Sequence, residues 1–231
     1  MKPLVNNTII TYQASLDELA RQLPPSILTN EEQSRASRYL TEEQRSRFIA
    51  SRTLLRLLLS YYSEQTPREI VFAFMPHGKP YLRDSNISFN ISHSHGQWIC
   101  ALALDTPLGI DIEYRDKTRP IDALAKRYFK ESEYHQIIEA TAETQLSLFY
   151  DLWTLKEALA KAHDLPIFRI LNKSEFVIRP IELIAFETNE EHHFIQTPHP
   201  THFAAMLCSL GKKKEVLHNK VDKQLLSKII S

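Results

Sequence analysis

In Gly109-Ile110-Asp111-Ile112-Glu113, apolar and acidic residues alternate one by one. Because successive side chains of a strand point to opposite faces, this pattern predicts a strand with Asp111 and Glu113 on one face and the two isoleucines on the other. Two carboxylates on the same face repel each other unless a cation lies between them. The segment therefore predicts an acidic site on one face of a sheet.

A second segment has the pattern of a helix and reads Trp153-Thr154-Leu155-Lys156-Glu157-Ala158-Leu159-Ala160-Lys161-Ala162. Residues four apart lie on the same side of a helix, so Glu157 and Lys161 offer a third carboxylate with an ammonium group one turn further on. Taken alone, the first segment could be an edge strand with one solvent-exposed face. The second could be a helix with an ordinary surface ion pair. Together, three carboxylates without sulfur favour Mg²⁺, which also binds water and phosphate oxygens.

Composition indicates a soluble, globular protein. The chain has 231 residues, of which 43% are hydrophobic, so it can bury a substantial core. Lys and Arg together number 28, as do Asp and Glu, so no basic excess predicts binding to nucleic acid. No apolar stretch approaches the ~20 residues that span a bilayer. We therefore expect neither nucleic acid nor membrane as a partner.

Cysteine usage and the N-terminus indicate the compartment. Cys100 and Cys208 both lie inside apolar runs, which predicts buried and inert thiols in a reducing environment. The first residues of the chain include no long apolar region of the kind found in secretion signals. We therefore expect a cytoplasmic protein.

Hydrophobic periodicity predicts alternating groups of helices and strands. Capping boxes at Thr29-x-x-Glu32 and Thr41-x-x-Gln44 predict that the first helical region divides near Leu40. The predicted helices cover residues 29–62, 121–129, 131–140, 143–163 and 214–230. The predicted strands cover residues 70–74, 87–91, 98–104, 109–113, 175–178, 183–186, 193–196 and 203–210.

This order of elements predicts an α+β fold with two similar α/β subdomains related by a pseudo-two-fold axis. Segments 96–104 and 202–210 share a pattern, and each ends the strand set of its half, although chance similarity of two buried strands explains this equally well. We place the subdomains at residues 1–107 and 108–231. The active site is expected in the cleft between them.

Two glycine-containing loops carry basic or polar groups that suit a phosphate. Lys79 lies in Gly78-Lys79-Pro80, where it is held on a stiff turn, and His93 lies in the loop from Ser92 to Gly96. A zinc site of His93 and His95 is disfavoured because the chain has no HExxH or CxxC motif. The sequence also lacks GxxxxGK[ST] and GxGxxG, which argues against a P-loop nucleotidase and a Rossmann dehydrogenase.

With these motifs taken together, the chain resembles the 4′-phosphopantetheinyl transferases of the two-domain type. The resemblance runs through six motifs in order: Arg35-x-x-Arg38-Tyr39, Arg52-Thr53-Leu54-Leu55-Arg56, Gly78-Lys79-Pro80, Phe89-Asn90-Ile91-Ser92-His93-Ser94, Gly109-Ile110-Asp111-Ile112-Glu113 and Trp153-x-x-Lys156-Glu157-Ala158-x-x-Lys161-Ala162. The resemblance covers roughly residues 30 to 165. The order and spacing of the six motifs make it specific.

The resemblance implies an activity and a set of site residues. Such an enzyme transfers the phosphopantetheine arm of coenzyme A to a serine of an apo acyl or peptidyl carrier protein and releases adenosine 3′,5′-bisphosphate. It implies Mg²⁺ ligands at Asp111, Glu113 and Glu157, and an active-site lysine at Lys161. The implied coenzyme contacts are Arg35, Arg47, Lys79, Ser92, His93 and Lys161. The nucleotide contacts would belong to the first subdomain, and the metal site, lysine helix and C-terminal helix to the second.

The chemistry of the reaction agrees with these roles. Attack on a pyrophosphate places negative charge on oxygens that Mg²⁺ and basic side chains stabilise. A serine hydroxyl needs a base, for which Glu157 is the first choice and Lys161 the second. Glycines often follow this helix in the family, whereas here Lys161 precedes Ala162-His163-Asp164, which predicts a different shape for the next loop.

Two rival functions stay open from the sequence. One is a Mg²⁺-dependent hydrolase of coenzyme A or another nucleotide pyrophosphate, in which the same carboxylates activate water. The other is a non-catalytic homologue that only binds carrier proteins. Because two halves in one chain can enclose a cleft without a second subunit, we expect a monomer.

Overall fold

Helices and strands alternate along residues 4–23, 25–178 and 180–230, which this computed structural model describes. The helices are α1 (Leu16–Leu19), α2 (Asn30–Ala36), α3 (Glu42–Ser63), α4 (Ile121–Tyr128), α5 (Glu131–Ile138), α6 (Ala142–Ala162) and α7 (Lys223–Ile230). The strands are β1 (Thr8–Ser15), β2 (Phe72–Phe74), β3 (Pro80–Leu82), β4 (Ile87–Ser94), β5 (Gln97–Leu104), β6 (Leu108–Tyr114), β7 (Glu175–Val177), β8 (Glu182–Ala185), β9 (His192–Gln196), β10 (Phe203–Leu210) and β11 (Glu215–Lys220). The predicted α+β class is confirmed.

The two main sheets share one topology. The first has the order β11-β1-β5-β4, and the second has the order β6-β10-β9. In the first sheet, β1 pairs antiparallel with β5, and β5 also pairs with β4. In the second sheet, β6 pairs antiparallel with β10, and β10 also pairs with β9. Along the chain, a long helix separates the first strand of each half from the next two strands of its sheet: α3 comes between β1 and β4, and α6 between β6 and β9. The two segments whose patterns resemble each other are β5 and β10, the central strands of these units.

Three apolar cores separate the layers. Alternate residues of β5 divide between two of them: Trp98, Cys100 and Leu102 pack with α3, whereas Ile99 and Ala101 face the second sheet. The isoleucines of β6 belong to this inter-sheet core. The third core lies between β10 and α6. The layers are therefore helix, sheet, sheet and helix, and the predicted apolar face of β6 is confirmed.

Strands β4 and β6 lie side by side across the junction of the two halves without a backbone ladder between them. Side chains of β4 bind the backbone of β6 instead: the Ile110 N–H donates to Asn90 Oδ1 at 2.9 Å, and the Tyr114 N–H donates to Ser94 Oγ at 3.2 Å. These bonds satisfy amides that a sheet would have paired. We call this junction the seam between β4 and β6.

Helix α6 packs unusually close to β6. A Cβ placed on Gly109 would lie 2.1 Å from the Ala158 carbonyl oxygen and 2.4 Å from the Ala162 nitrogen. No side chain larger than hydrogen fits between these two backbones. Gly109 therefore fixes how near the helix, and every side chain it carries, approaches the acidic strand.

A buried ion pair holds the other side of α6. Lys156 Nζ lies 2.9 Å from Glu133 Oε1 of α5, and both side chains are 0% exposed. The same ammonium donates to the carbonyls of Leu171 and Ser174, at 2.7 and 2.8 Å. Because a buried charge is tolerated only when its partners are present, this pair fixes the rotation of α6 beside α5.

The C-terminal segment departs from the prediction. The helix expected over 214–230 is instead β11 followed by α7, and β11 pairs parallel with β1. Leu225, Leu226 and Ile229 of α7 pack into the first core, so the C-terminal helix lies with the first half and not the second. The mixture of charged and apolar residues fitted a helix, but the edge of the first sheet offered β11 unpaired backbone groups. The predicted division at residues 107 and 108 stays a prediction.

Other expectations concern the termini, the thiols and the membrane. Strand β1 was not predicted, although its pairing with β5 makes it central to the first sheet. Cys100 and Cys208 are free and buried as predicted, and burial raises the pKa of both thiols. Within the part of the chain that the structure describes, no helix combines the length and apolar character needed to cross a bilayer.

Gly109→Ala tests the close approach of α6 to β6. We expect the free energy of unfolding in urea to fall by about 3 kcal/mol, because the added methyl group must push the helix away from the strand. Gly211→Ala is the control, since its surroundings are open and only its φ of +77° is strained; it should cost about 1 kcal/mol. Equal losses in the two variants would contradict the packing argument.

Lys156→Met tests the buried ion pair. We expect a loss of about 3 to 5 kcal/mol in the free energy of unfolding, because Glu133 would keep a buried charge without its counterion. Lys173→Met removes an exposed lysine from a nearby loop and should change stability by less than about 0.5 kcal/mol. A loss below about 1 kcal/mol for Lys156→Met would show that the pair does not hold α6.

Candidate active site

The centre of the candidate site is a set of three bonded side chains at the seam. Lys161 Nζ lies 2.6 Å from Asp111 Oδ1 and 3.2 Å from Ser92 Oγ, and Ser92 Oγ donates to the same Asp111 oxygen at 2.8 Å. Asp111 is 2% exposed. One residue comes from β4, one from β6 and one from α6, so both halves of the chain build the site.

Lys161 is held as a cation by its acidic neighbours. Burial disfavours its charge, but the adjacent carboxylate of Asp111, then Glu157 and Glu113, raise the pKa of Lys161 above its usual value. The side chain keeps 29% of its surface exposed, and its ammonium is held by Asp111 Oδ1, Ser92 Oγ and the Ile110 carbonyl. A fixed positive charge suits a phosphate that must accumulate negative charge during a reaction.

The negative charges of Glu113 and Glu157 are less well compensated by nearby positive groups than that of Asp111. Glu113 accepts from Ser94 Oγ at 3.2 Å, yet burial and then the charge of Asp111 raise the pKa of Glu113. Burial raises the pKa of Glu157 to about 7; Lys161 opposes this shift, and Asp111 and Glu113 add to it. The charges of Asp111, Glu113 and Glu157 therefore interact with one another, and the predicted metal set of these three residues stays a prediction.

The donor set fits a hard cation. Asp111 Oδ2 is buried and has no hydrogen-bond partner, although its other oxygen carries two. A buried anionic oxygen without a partner is costly unless a cation or donor reaches it. In residues 4–23, 25–178 and 180–230, no three His, Cys, Asp or Glu side chains are grouped closely enough to hold a metal ion. An ion at Asp111, Glu113 and Glu157 would require their side chains to approach each other, and Mg²⁺ would complete its shell with water or phosphate oxygens.

Lys79 approaches the start of β6. Its Nζ donates to the Leu108 carbonyl at 2.8 Å, and burial lowers its pKa to about 8 although Asp164 opposes the shift. The structure thus places the Lys79 ammonium at the start of β6, beside Leu108, which precedes Asp111 by three residues in the chain.

His93 and Arg47 lie on the first half, beside the seam. Burial and then repulsion from Lys161 lower the pKa of His93, and Arg47 adds to this effect. Arg47 binds both oxygens of Asp17, at 2.7 and 2.8 Å, so its guanidinium is fixed near the β4–β5 turn. His93 and Arg47 thus lie close enough to each other and to Lys161 for their charges to interact, and the lowered pKa keeps the His93 imidazole neutral.

Arg35 does not join this group. Its guanidinium lies over the Phe48 ring at 5.4 Å, in a cavity bounded by α2, α3 and β2. The prediction for Arg35 came from sequence pattern in the first helical region, and that pattern did not determine which side of α2 faces the seam.

Two residues of the site were not predicted. Ser94 donates to Glu113, and its position two residues after Ser92 on a strand would have placed both hydroxyls on one face. Asp164 accepts from the backbone N–H groups of His77 and Lys79, at 3.1 and 3.3 Å, and thereby ties the β2–β3 hairpin to the end of α6. No local pattern marked Asp164, because its partners are distant in the sequence.

Comparison with known proteins agrees with the geometry. The family model described as "4'-phosphopantetheinyl transferase superfamily" matches residues 107–210, and the one described as "4'-phosphopantetheinyl transferase, N-terminal" matches residues 12–106. The 4'-phosphopantetheinyl transferase HetI of Nostoc is 33% identical over 191 residues, which are 80% of each chain. The chain belongs to the 4′-phosphopantetheinyl transferases.

Other phosphopantetheinyl transferases match shorter parts. The putative transferase slr0495 of Synechocystis is 34% identical over 59% of this chain and 57% of its own length. The transferase Sfp of Bacillus subtilis is 33% identical over 59% of this chain and 60% of its own length. The chain therefore spans less than two thirds of these two relatives. The predicted family assignment is confirmed.

Asp164→Asn tests the link between the hairpin and α6 in this transferase. Asn tolerates the positive φ of 50° at this position but has one acceptor oxygen in place of two. We expect faster amide hydrogen exchange at residues 75–80, measured by mass spectrometry, with no change at residues 97–104. Unchanged exchange at the hairpin would show that Asp164 does not hold it, and acceleration throughout would indicate general destabilisation.

Proposed function

We propose that the protein transfers the 4′-phosphopantetheine arm of coenzyme A to a serine of an apo acyl or peptidyl carrier protein. The observation that carries this proposal is the Ser92, Asp111 and Lys161 group, with Glu113 and Glu157 beside it at the seam. Membership of the family supports the reaction class. The other product is adenosine 3′,5′-bisphosphate.

Asp111, Glu113 and Glu157 would hold Mg²⁺. The unpartnered Oδ2 of Asp111 and the raised pKa values of both glutamates are the features that such an ion would relieve. When bound, Mg²⁺ neutralises charge on the pyrophosphate oxygens. Asp111 has a second task, because its other oxygen orients Lys161 and Ser92.

Lys161 holds the phosphate that is transferred. Its ammonium is already fixed by Asp111, so little reorganisation is needed when negative charge develops. The bond that forms joins the carrier serine oxygen to the phosphorus of the pantetheine arm. The bond that breaks joins this phosphorus to the oxygen bridging the two phosphates, and the leaving oxygen remains with the nucleotide.

Glu157 accepts the proton of the carrier serine. Burial raises the pKa of Glu157 to about 7 in the absence of an ion. A bound Mg²⁺ would lower this pKa, so the proton would go to the carboxylate oxygen that does not face the ion. Lys161 is the second choice, but its raised pKa keeps it protonated and makes it a poor base. Glu157 as base and Lys161 as cation is therefore the assignment that the electrostatics support.

The remaining contacts bind the coenzyme around this centre. His93, Arg47 and Lys79 supply donors along the first half of the seam, and Ser92 supplies a hydroxyl next to Lys161. Arg35 is the remaining proposed contact, and it lines the cavity between α2, α3 and β2. Coenzyme A thus meets basic groups from β4, α3 and the β2–β3 hairpin.

We also propose that the protein acts as a cytoplasmic monomer. Support for the monomer comes from the site itself, since β4, β6 and α6 of one chain supply its central residues. Support for a reducing compartment comes from the two free, buried thiols. The carrier protein is the expected macromolecular partner, and neither nucleic acid nor membrane is required by the reaction.

The reaction is tested by incubating the protein with coenzyme A, Mg²⁺ and several apo carrier proteins, whose intact masses are then measured. We expect one phosphopantetheine to be added to a carrier, and Asp111→Asn and Lys161→Met to lower kcat/KM by about 100-fold or more. Lys173→Met is the matched control and should retain full activity. Removal of Mg²⁺ with a chelator should abolish the mass gain in the wild-type protein.

The same assay separates the rival functions. Hydrolysis of coenzyme A without any mass gain on a carrier would favour the hydrolase and contradict transfer. Carrier binding with neither transfer nor hydrolysis would favour the non-catalytic homologue. Full activity of Lys161→Met would contradict the role assigned to the lysine while leaving the reaction itself intact.

A further inference from the structure

The tight turn between β4 and β5 begins with a residue that such turns rarely use. The turn consists of His95 and Gly96, with φ angles of +47° and +78°, and it joins the paired residues Ser94 and Gln97. Two-residue turns with a positive φ at both positions favour Asn, Asp or Gly at the first of them. A histidine there has a conformational cost, because its Cβ is crowded by the backbone. The contacts of the imidazole offset this cost.

The imidazole of His95 packs on the aromatic residue that follows Glu113. Its ring centroid lies 4.5 Å from that of Tyr114, with 34° between the two planes. Tyr114 in turn meets the Phe203 ring of β10 edge-on at 5.3 Å. Although His95 is an exposed residue, its ring is thus held against a side chain that the second sheet anchors. In this orientation Nδ1 of His95 lies 3.3 Å from Ser94 Oγ.

The Ser94 hydroxyl has three polar neighbours. The Tyr114 N–H donates to Oγ at 3.2 Å, Glu113 Oε2 lies 3.2 Å from Oγ, and His95 Nδ1 lies 3.3 Å from it. A hydroxyl donates one hydrogen bond and accepts two. The amide occupies one acceptor position, and an ionised carboxylate only accepts, so Glu113 requires the hydroxyl proton. Nδ1 of His95 must then carry a proton of its own and donate it to the second acceptor position.

The opposite tautomer of His95 does not fit this arrangement. With an unprotonated Nδ1, two acceptors would compete for the single hydroxyl proton of Ser94. Donation to His95 would leave Glu113 Oε2 facing a lone pair of the Ser94 oxygen at 3.2 Å, which is repulsive. The Nδ1–H form of His95 therefore directs the Ser94 proton to Glu113.

We propose that His95 is a positioning residue for Glu113, because its Nδ1–H group commits the Ser94 hydroxyl to that carboxylate. The inference rests on the proposed function, in which Glu113 is a metal ligand. Ligating carboxylates are oriented by hydrogen bonds of their own, and loss of such a bond lowers the affinity for the metal. His95 acts through Ser94 and not on the ion itself, so its effect depends on the Ser94 hydroxyl.

The tautomer is tested by ¹⁵N NMR of the imidazole side chains at about pH 8.5, where an ordinary histidine is neutral. The His95 signals are assigned by their absence from the spectrum of His95→Asn. We expect Nδ1 of His95 to carry the proton in the metal-free wild-type protein, and Ser94→Ala to abolish this preference. An Nε2–H form in the wild-type protein, or a tautomer that Ser94→Ala leaves unchanged, would overturn the proposal. This measurement requires neither Mg²⁺ nor activity.

Metal affinity is measured with Mn²⁺ as the probe, by electron paramagnetic resonance of the free ion, on protein saturated with coenzyme A and with coenzyme A alone as the blank. We expect Ser94→Ala to weaken Mn²⁺ binding by about 10-fold, and His95→Gly, which acts indirectly, by about 3-fold. Glycine tolerates the positive φ, so His95→Gly retains the turn. His95→Asn should restore nearly the wild-type affinity, because its Nδ2–H₂ group offers a donor in the place of Nδ1. Equal losses in His95→Asn and His95→Gly would overturn the proposal.

A double-mutant cycle separates action through Ser94 from a general effect on the turn. In the Ser94→Ala background, His95→Gly should change the Mn²⁺ affinity by less than about 1.5-fold, because the group through which His95 acts is gone. A further loss of about 3-fold in that background would overturn the proposal.

Glu64→Gly is the matched control, since Glu64 is an exposed residue with a positive φ of 58° at the end of α3. It should leave the His95 tautomer and the Mn²⁺ affinity unchanged, and an effect equal to that of His95→Gly would overturn the proposal. No Mn²⁺ binding by the wild-type protein would overturn the proposed metal site and this inference together. A failed transfer assay with the expected tautomer and Mn²⁺ affinities would contradict the proposed function and not this inference.

Discussion

The contact of α6 with β6 at Gly109 is the constraint on which the rest of the site depends. Since the two backbones leave no room for a Cβ, the helix lies close enough for Lys161 to reach Asp111 at 2.6 Å. Lys156 holds the opposite side of the helix through Glu133, so α6 can neither move away nor rotate freely. The reactive groups of α6 are placed by residues that take no part in the chemistry.

The site lies at the seam because β4 and β6 do not form a ladder. A closed ladder would have joined the two sheets into one continuous surface and left no cleft between them. Instead Asn90 and Ser94 satisfy the backbone of β6 from the side, and Ser92 between them turns its hydroxyl to Asp111. The polar residues that replace the ladder are therefore the same ones that bring the two halves to the carboxylates. This arrangement explains why the site lies at the junction of the two halves.

The sequence predicted those features whose causes are local. Alternation predicted strand β6, helical spacing predicted α6, and capping residues at Thr29 and Thr41 gave the division between α2 and α3. Features that depend on distant partners were missed. Strand β11 forms because β1 offers it an edge some two hundred residues earlier in the chain, as the pairing of Thr8 with Glu215 shows. The role of Asp164 could not be predicted from the sequence either, because its carboxylate accepts hydrogen bonds from a hairpin of the other half.

Charge is distributed unevenly between the seam and the first helical region. The chain has equal numbers of acidic and basic residues, yet the balance is not local. At the seam, three carboxylates stand against Lys161, and Oδ2 of Asp111 is buried without a partner. Between α2 and α3, arginines exceed glutamates, and Nη1 of Arg52 is buried without a partner. Like charges held out of water destabilise a fold unless groups of opposite sign meet them. A cation bound beside Asp111 would therefore stabilise the fold as well as serve the reaction.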